Sequence, residues 1–500
     1  MRPASNIIQL FLNAASQHPD ETAIIYKHEK ITYRLLSEDV IATANYFAEK
    51  GIEPGDRILV FVPMSLELYK TLLAAFYLGA VVVFLDEWVN KERMELCCRI
   101  AKCKGFIAPF KIRLLGMFSK EIRNIQVKLS PNKKSTAGTV QLFQPIESDP
   151  ALITFTTGST GTPKAANRTH HFLSAQYKAL QPLLPADSKI DMALLPIVLL
   201  LNLGTGKTSV IGNYKANKPG NFNPSVIYAE LKNNNVTSLT FSPYYLITLA
   251  QYLVKNNLRL PAIKNILSGG GPVFPPDAKL ILQAFPFSDF TIIYGSTEAE
   301  PIAHINAKDF IKNYEDASNG LCVGNIDDAA KVKIIPIENK PVDHVQTLQE
   351  GETGEIIVSG NHVLQSYLDN ETAFKQNKIV EGDITWHRTG DAGYLDDEGD
   401  LFLAGRCKQI IEWEGRKYYP FLIENIVKNI QGINCGTIMV LENIPVIVIE
   451  ADENYQSTKF AEVLFKNYLS EFRIIQLKKI PKDKRHHTKI DYDLLQSLLN

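Results

Sequence analysis

A change of hydrophobic period within one short stretch constrains this chain more than any other feature. The run Ile58 to Val62 is apolar, and Leu68, Leu72, Ala75 and Phe76 then recur at the spacing of a helix face. Gly79 ends that helix, and Val81 to Leu85 is a β-branched run that stops at Asp86. Strand, helix and strand in this order predict a βαβ unit with a buried parallel strand. Similar alternation continues to about residue 330, so the expected class is α/β, with mixed and parallel sheets flanked by helices. Lys128 to Ser148 is polar and reads as a surface loop.

At 500 residues the chain exceeds one ordinary domain. After Gly351 the texture changes to short strands and tight turns, with a hairpin about Asp396 to Gly399. A further change follows Gly405, and the expected organisation is a large unit over residues 1–406 and a small α+β unit over 407–500. The 53 Lys and Arg against 54 Asp and Glu leave a net charge of -1, so no global field favours nucleic acid or anionic lipid, and a small-molecule partner is expected. Uncharged stretches such as Thr71 to Leu85 are too short for a transmembrane segment. The apolar run Ile7 to Leu12 is too short for a signal peptide, and six cysteines without a CxxC pair suggest neither zinc nor disulfides, so a cytoplasmic location is expected.

The chemistry begins where the strand Ala151 to Phe155 runs into Thr156, Thr157, Gly158, Ser159, Thr160, Gly161, Thr162, Pro163 and Lys164. Glycines let backbone N–H groups approach phosphate oxygens, hydroxyls donate further bonds, and Lys164 adds a positive charge. The bland alternative is an ordinary mobile loop. Gly206, Lys207 and Thr208 imitate the end of a Walker A loop, but the pattern needs a glycine where this chain has Leu201, so they read as a turn beside an apolar wall.

The stretch Phe155 to Lys164 resembles the phosphate loop of the adenylate-forming superfamily, which includes acyl-CoA synthetases and peptide-synthetase adenylation domains. Other segments follow in the order of that family: Ser268 to Pro272 is similar to its adenine-wall turn, Tyr294 to Glu298 to its YGxTE motif, and Arg388 to Asp391 with Gly405 to Lys408 to its ribose-binding and hinge segments. The resemblance implies ATP and Mg²⁺ as cofactors, CoA as co-substrate and a carboxylic acid as substrate. It implies a mobile C-terminal lid carrying the catalytic Lys489. Tyr294, Gly295 and the Gly270, Gly271, Pro272 turn would enclose adenine. Thr297 would bond the α-phosphate and Glu298 would hold the metal through a hard carboxylate oxygen. Asp391, reinforced by Arg406, would accept from the ribose hydroxyls. Taken alone, Glu298 would be a solvated surface charge and the Asp483 to Ile490 run a solvated basic face.

Departures from the family pattern are specific. Ala165 and Thr488 replace usual glycines, and Leu195 to Asn202 carries aliphatic residues where an aromatic or His gate is usual. The Arg485 to Ile490 stretch, Phe155 to Gly161 and Tyr294 to Pro301 are similar to olefin β-lactone synthetases. The aliphatic run Ile197 to Leu201 favours an apolar, fatty acid as substrate. The acceptor stays open between CoA, as in most of the family, and the substrate's own β-hydroxyl.

Overall fold

Helix Leu66–Leu78 connects two parallel strands, Arg57–Val60 and Val81–Phe84, in the computed structural model, as the change of period requires. It starts where Ser65 Oγ accepts from Leu68 N–H at 3.3 Å and ends at Gly79, whose φ of 83° is left-handed. Only glycine fits there, since a Cβ would lie 2.3 Å from the Phe143 ring. The structure describes residues 4–85, 91–116, 118–157, 163–185, 188–214, 219–312, 319–451, 455, 472–483 and 487–500.

These strands belong to a six-stranded sheet ordered Val127–Leu129, Gly105–Ile107, Arg57–Val60, Val81–Phe84, Pro150–Thr157, Pro163–Thr169, in which only the last pair is antiparallel. A fourteen-stranded sheet forms the second layer. One part is parallel, including Ile190–Ala193, Ser238–Phe241, Asn265–Gly269 and Asp289–Ser296; from Ala299–Asn306 onward its neighbours are antiparallel. One core, around Val82, Leu152, Tyr69 and Leu199, also takes in Ile24 and Ile211 of the large sheet; a second surrounds Leu59, Val83 and Phe106, and a third Phe241, Phe290 and Ile266. Segment 130–148 carries no regular strand, but Lys128 and Leu129, expected in that loop, pair in strand Val127–Leu129; the Asp396 to Gly399 turn joins strands Ile384–Leu395 and Asp400–Arg406. All six cysteines are free, and among the described residues no helix is long and apolar enough to cross a membrane.

The C-terminal residues build a three-stranded sheet, Ile433–Leu441, Ile444–Ala451 and Arg473–Leu477, packed against helix Pro420–Lys428. Its core is formed by Ile423, Ile426, Val427, Ile438 and Ile447. The helix also touches the rest of the chain: Lys428 Nζ is 3.2 Å from Asp277 Oδ1, and Asn425 Nδ2 donates to Gly320 O at 3.3 Å.

Glu424 of this helix is buried and accepts from Tyr492 Oη at 2.7 Å and Thr437 Oγ1 at 3.1 Å. Burial pushes its carboxyl up from 4.5 to about 7, against the lowering effect of those hydrogen bonds and of Lys482. The folded state therefore holds a proton that the unfolded chain has already released. The associated stability is complete below pH 4.5 and is lost as pH rises through about 7, a decline of at most ~3 kcal/mol. In urea melts at stepped pH, Glu424→Gln should flatten this decline; an unchanged slope would show that Glu424 does not titrate in this interval.

Candidate active site

The candidate residues gather at the carboxyl edge of the parallel block, the edge at which α/β sheets bind ligands. Strand Asn265–Gly269 ends in the Gly270, Gly271, Pro272 turn, where Gly270 has φ 85°. The neighbouring strand pairs Gly269 with Ile293, so Tyr294 emerges beside this turn. Gly295 is confined as well, because a Cβ would stand 2.9 Å from Ala299 O.

Tyr294 Oη donates to Asp391 Oδ2 at 2.9 Å. Burial, with the adjacent Asp391 charge, raises the Tyr294 pKa well above its usual value, so the phenol stays protonated and remains a donor. Asp391 lies directly opposite Arg406 on the paired strand, and Arg406 Nη1 approaches Asp391 Oδ1 at 3.2 Å while donating to Thr389 O at 3.1 Å. One carboxylate is thus held between a phenol and a guanidinium. Arg388, from the same motif, turns inward and pairs with buried Glu355 at 2.5 Å.

A second cluster surrounds Glu298. Ser296 Oγ accepts from Glu298 N–H at 3.2 Å, and Glu298 O accepts from Leu364 N–H at 2.7 Å. Thr297 O accepts from buried Arg168 at 2.9 Å. Thr156 and Thr157 end the strand that pairs with Pro163–Thr169, placing Thr156 opposite Lys164; Gly158, Ser159, Thr160 and Gly161 lie outside the described residues. Lys164 Nζ donates to Asn377 Oδ1 at 2.8 Å, and burial lowers its pKa while Glu298 acts to raise it.

Sequence reasoning missed Lys378 and Tyr367. Lys378 is buried, donates to Leu364 O, and has its pKa pushed down to about 7 by burial, with Glu298 opposing that shift. The ammonium groups of Lys164 and Lys378 each lie 5.8 Å from the Tyr367 ring centroid. Tyr367 is buried beside Glu298, and both burial and that charge raise its pKa. No spacing rule could have found this cluster, although Lys378 lies in a stretch with Trp386 and Arg388 that leads into the Asp391 motif. Conversely, Lys207 of the Walker-like sequence donates to Pro185 O at 2.6 Å, as suits a structural turn.

The C-terminal hairpin closes on the same edge. Lys482 bridges Ile490, Asp483 Oδ1 accepts from Lys489 N–H at 3.1 Å, and Asp483 N–H donates to Lys489 O at 2.8 Å. The next residue back, Thr488, rests against the glycine turn, where a Cβ on Gly271 would be 2.3 Å from Thr488 Oγ1. His487 lies 5.3 Å from the Tyr244 ring, centroid to centroid. Lys489 therefore belongs to a loop docked at the turn that neighbours Tyr294.

These residues fit a nucleotide. Thr488 Oγ1, which rests against the glycine turn, and Ser268 Oγ, which precedes it, are buried without hydrogen-bond partners. They also fit a magnesium ion held chiefly by its substrate. Among the described residues no group of three His, Cys, Asp or Glu side chains is gathered, and Glu298 supplies the single hard carboxylate that Mg²⁺ accepts alongside phosphate oxygens and waters.

The family model for AMP-binding enzymes matches residues 11–368. The chain belongs to that family and is an adenylate-forming ligase. It is similar to an olefin beta-lactone synthetase of Xanthomonas campestris pv. campestris, 28% identical over 93% of this chain and 90% of the relative. Its fold is that of an amide bond synthetase from Marinactinospora thermotolerans, at TM-score 0.84 and 19% identity over 99% and 100% of the two chains. It also matches O-succinylbenzoate coenzyme A synthetase from Bacillus subtilis in complex with ATP and magnesium ion, at TM-score 0.81 and 19% identity over 99% of each chain.

The Thr488 contact is directly testable. Gly271→Ala should force the hairpin outward, accelerating amide exchange across residues 487–490 while strand Asn265–Gly269 stays protected. Unchanged exchange there would mean that the glycine turn does not hold the hairpin.

Proposed function

We propose that the protein uses ATP and Mg²⁺ to convert a fatty carboxylic acid into its acyl-AMP with release of pyrophosphate, and then transfers the acyl group to CoA. The observation that carries this reading is the convergence at one sheet edge of the Tyr294–Asp391–Arg406 group, the Glu298 cluster and the hairpin bearing Lys489. Asp391 keeps acceptor capacity for the ribose hydroxyls, oriented by Tyr294 and Arg406. Tyr294, Gly295 and the Gly270 to Pro272 turn border the adenine. The loop Thr156 to Gly161, with Lys164, takes the phosphates, and Thr297 the α-phosphate. Mg²⁺, held by Glu298, neutralises phosphate charge.

Lys489, presented by the closed hairpin, bridges the attacking carboxylate and the α-phosphate as charge develops. Residues 407–500 act as a lid that must withdraw before a large acceptor enters, and Lys408 is its hinge. The aliphatic run Ile197 to Leu201 on helix Pro196–Gly204 supports a fatty acyl group.

A second reading replaces CoA with the substrate's own β-hydroxyl, giving a β-lactone. The similarity to a β-lactone synthetase over 93% of this chain favours it, as does the aliphatic helix Pro196–Gly204 in place of an aromatic or His gate.

The protein should catalyse acid-dependent exchange of pyrophosphate into ATP; absence of exchange across a panel of plain and β-hydroxy fatty acids would overturn the adenylation reading. Mass spectrometry of products formed with and without CoA separates the two acceptors. Lys489→Ala should lower exchange by ~10²-fold or more while nucleotide binding persists. Exchange at the wild-type rate would remove Lys489 from the first half-reaction.

A further inference from the structure

We infer that the segment Phe110 to Arg123 docks the protein onto an anionic phospholipid surface. Phe110, Leu114 and Phe118 are 66%, 53% and 78% exposed; Leu494 and Leu498 form a smaller exposed pair on the C-terminal helix Tyr492–Leu499, which has no aromatic side chain among its exposed apolar ones. Phe110 and Leu114 are four residues apart on helix Phe110–Gly116 and so share a face, and Phe118 stands two positions after its end. Exposed apolar side chains clustered in this way mark an interaction surface.

The surrounding charge selects the partner. Lys111, Lys120 and Arg123 are exposed around these residues, and the Arg113 guanidinium lies 5.9 Å from the Phe110 ring centroid. The one carboxylate in the segment, Glu121, is occupied by Arg99 at 3.3 Å. Apolar side chains ringed by cations complement a bilayer interface, where rings enter the acyl boundary and cations meet anionic headgroups. The chain's net charge of -1 does not oppose this, because charges beyond the screening length of ~8 Å contribute little at physiological salt.

Position in the fold gives the surface a use. Strands Gly105–Ile107, Arg57–Val60, Val81–Phe84 and Pro150–Thr157 are parallel and adjacent in that order. Helix Phe110–Gly116, which follows the first, and the Thr157 end of the last therefore lie at the same edge of this sheet, three strand spacings or ~14 Å apart. Docking there turns the edge at which Pro150–Thr157 ends toward the membrane, the reservoir of long-chain acids.

The test is co-sedimentation of the full chain with vesicles of phosphatidylcholine containing phosphatidylglycerol, beside vesicles of phosphatidylcholine alone. Binding should favour the anionic vesicles, weaken with added salt, and fall by about tenfold or more in F110S/L114S/F118S and in K111E/K120E/R123E. Pyrophosphate exchange with a water-soluble acid should stay at the wild-type rate in both variants, which separates loss of docking from loss of the site. The charge variant alters only exposed side chains and keeps the test decisive if the serine variant does not fold. No binding by the wild type, or equal binding by a folded variant, would overturn the inference. So would self-association or capture of a protein through these residues without vesicle binding, since the surface would then serve a protein partner.

Discussion

The hydrogen bond from Tyr294 to Asp391 joins two parts of the large sheet that its strand order keeps apart. Tyr294 ends a strand of the parallel block, whereas Asp391 belongs to the antiparallel part, with three strands between them in the sheet. Arg406 approaches the same carboxylate from the strand paired with that of Asp391. The Asp391 carboxylate accepts from a phenol that burial, and then the Asp391 charge, keep protonated.

Around Glu298 the balance is different. Two buried lysines and a buried tyrosine are drawn close to one half-buried carboxylate. Burial lowers the pKa of both lysines, and the Glu298 charge opposes that shift. The cluster is held through backbone contacts: Leu364 links Glu298 O to Lys378 Nζ, and Tyr367 bridges Ala166 on the strand carrying Lys164. Positive charge is thereby gathered beside Glu298.

The C-terminal hairpin reaches the same edge through steric fit. Gly271 leaves room for Thr488, and helix Pro420–Lys428 adds the Lys428–Asp277 ion pair and the Asn425–Gly320 hydrogen bond. Beside these polar contacts, Phe421 of the same helix packs edge-on against Phe274 at the border of the large core.

Much was legible in the sequence because it depends on local chemistry. Period fixes the βαβ unit, since a helix face and a buried strand demand different spacing of apolar residues. The strand before Thr156 and the turn at Gly270 were readable because positive φ and close backbone approach require glycine. The resemblance placed Tyr294, Glu298, Asp391, Arg406 and Lys489 in one family order. Tertiary structure alone decided which of these meet: Tyr294 and Asp391 are 97 residues apart, and Lys164 and Asn377 are 213 apart. It also turned Arg388 inward to Glu355, tied Lys207 to Pro185, and buried Lys378 beside Tyr367. A side chain's charge state and partners follow from what surrounds it after folding, and contacts at such separations have no period for a sequence to display.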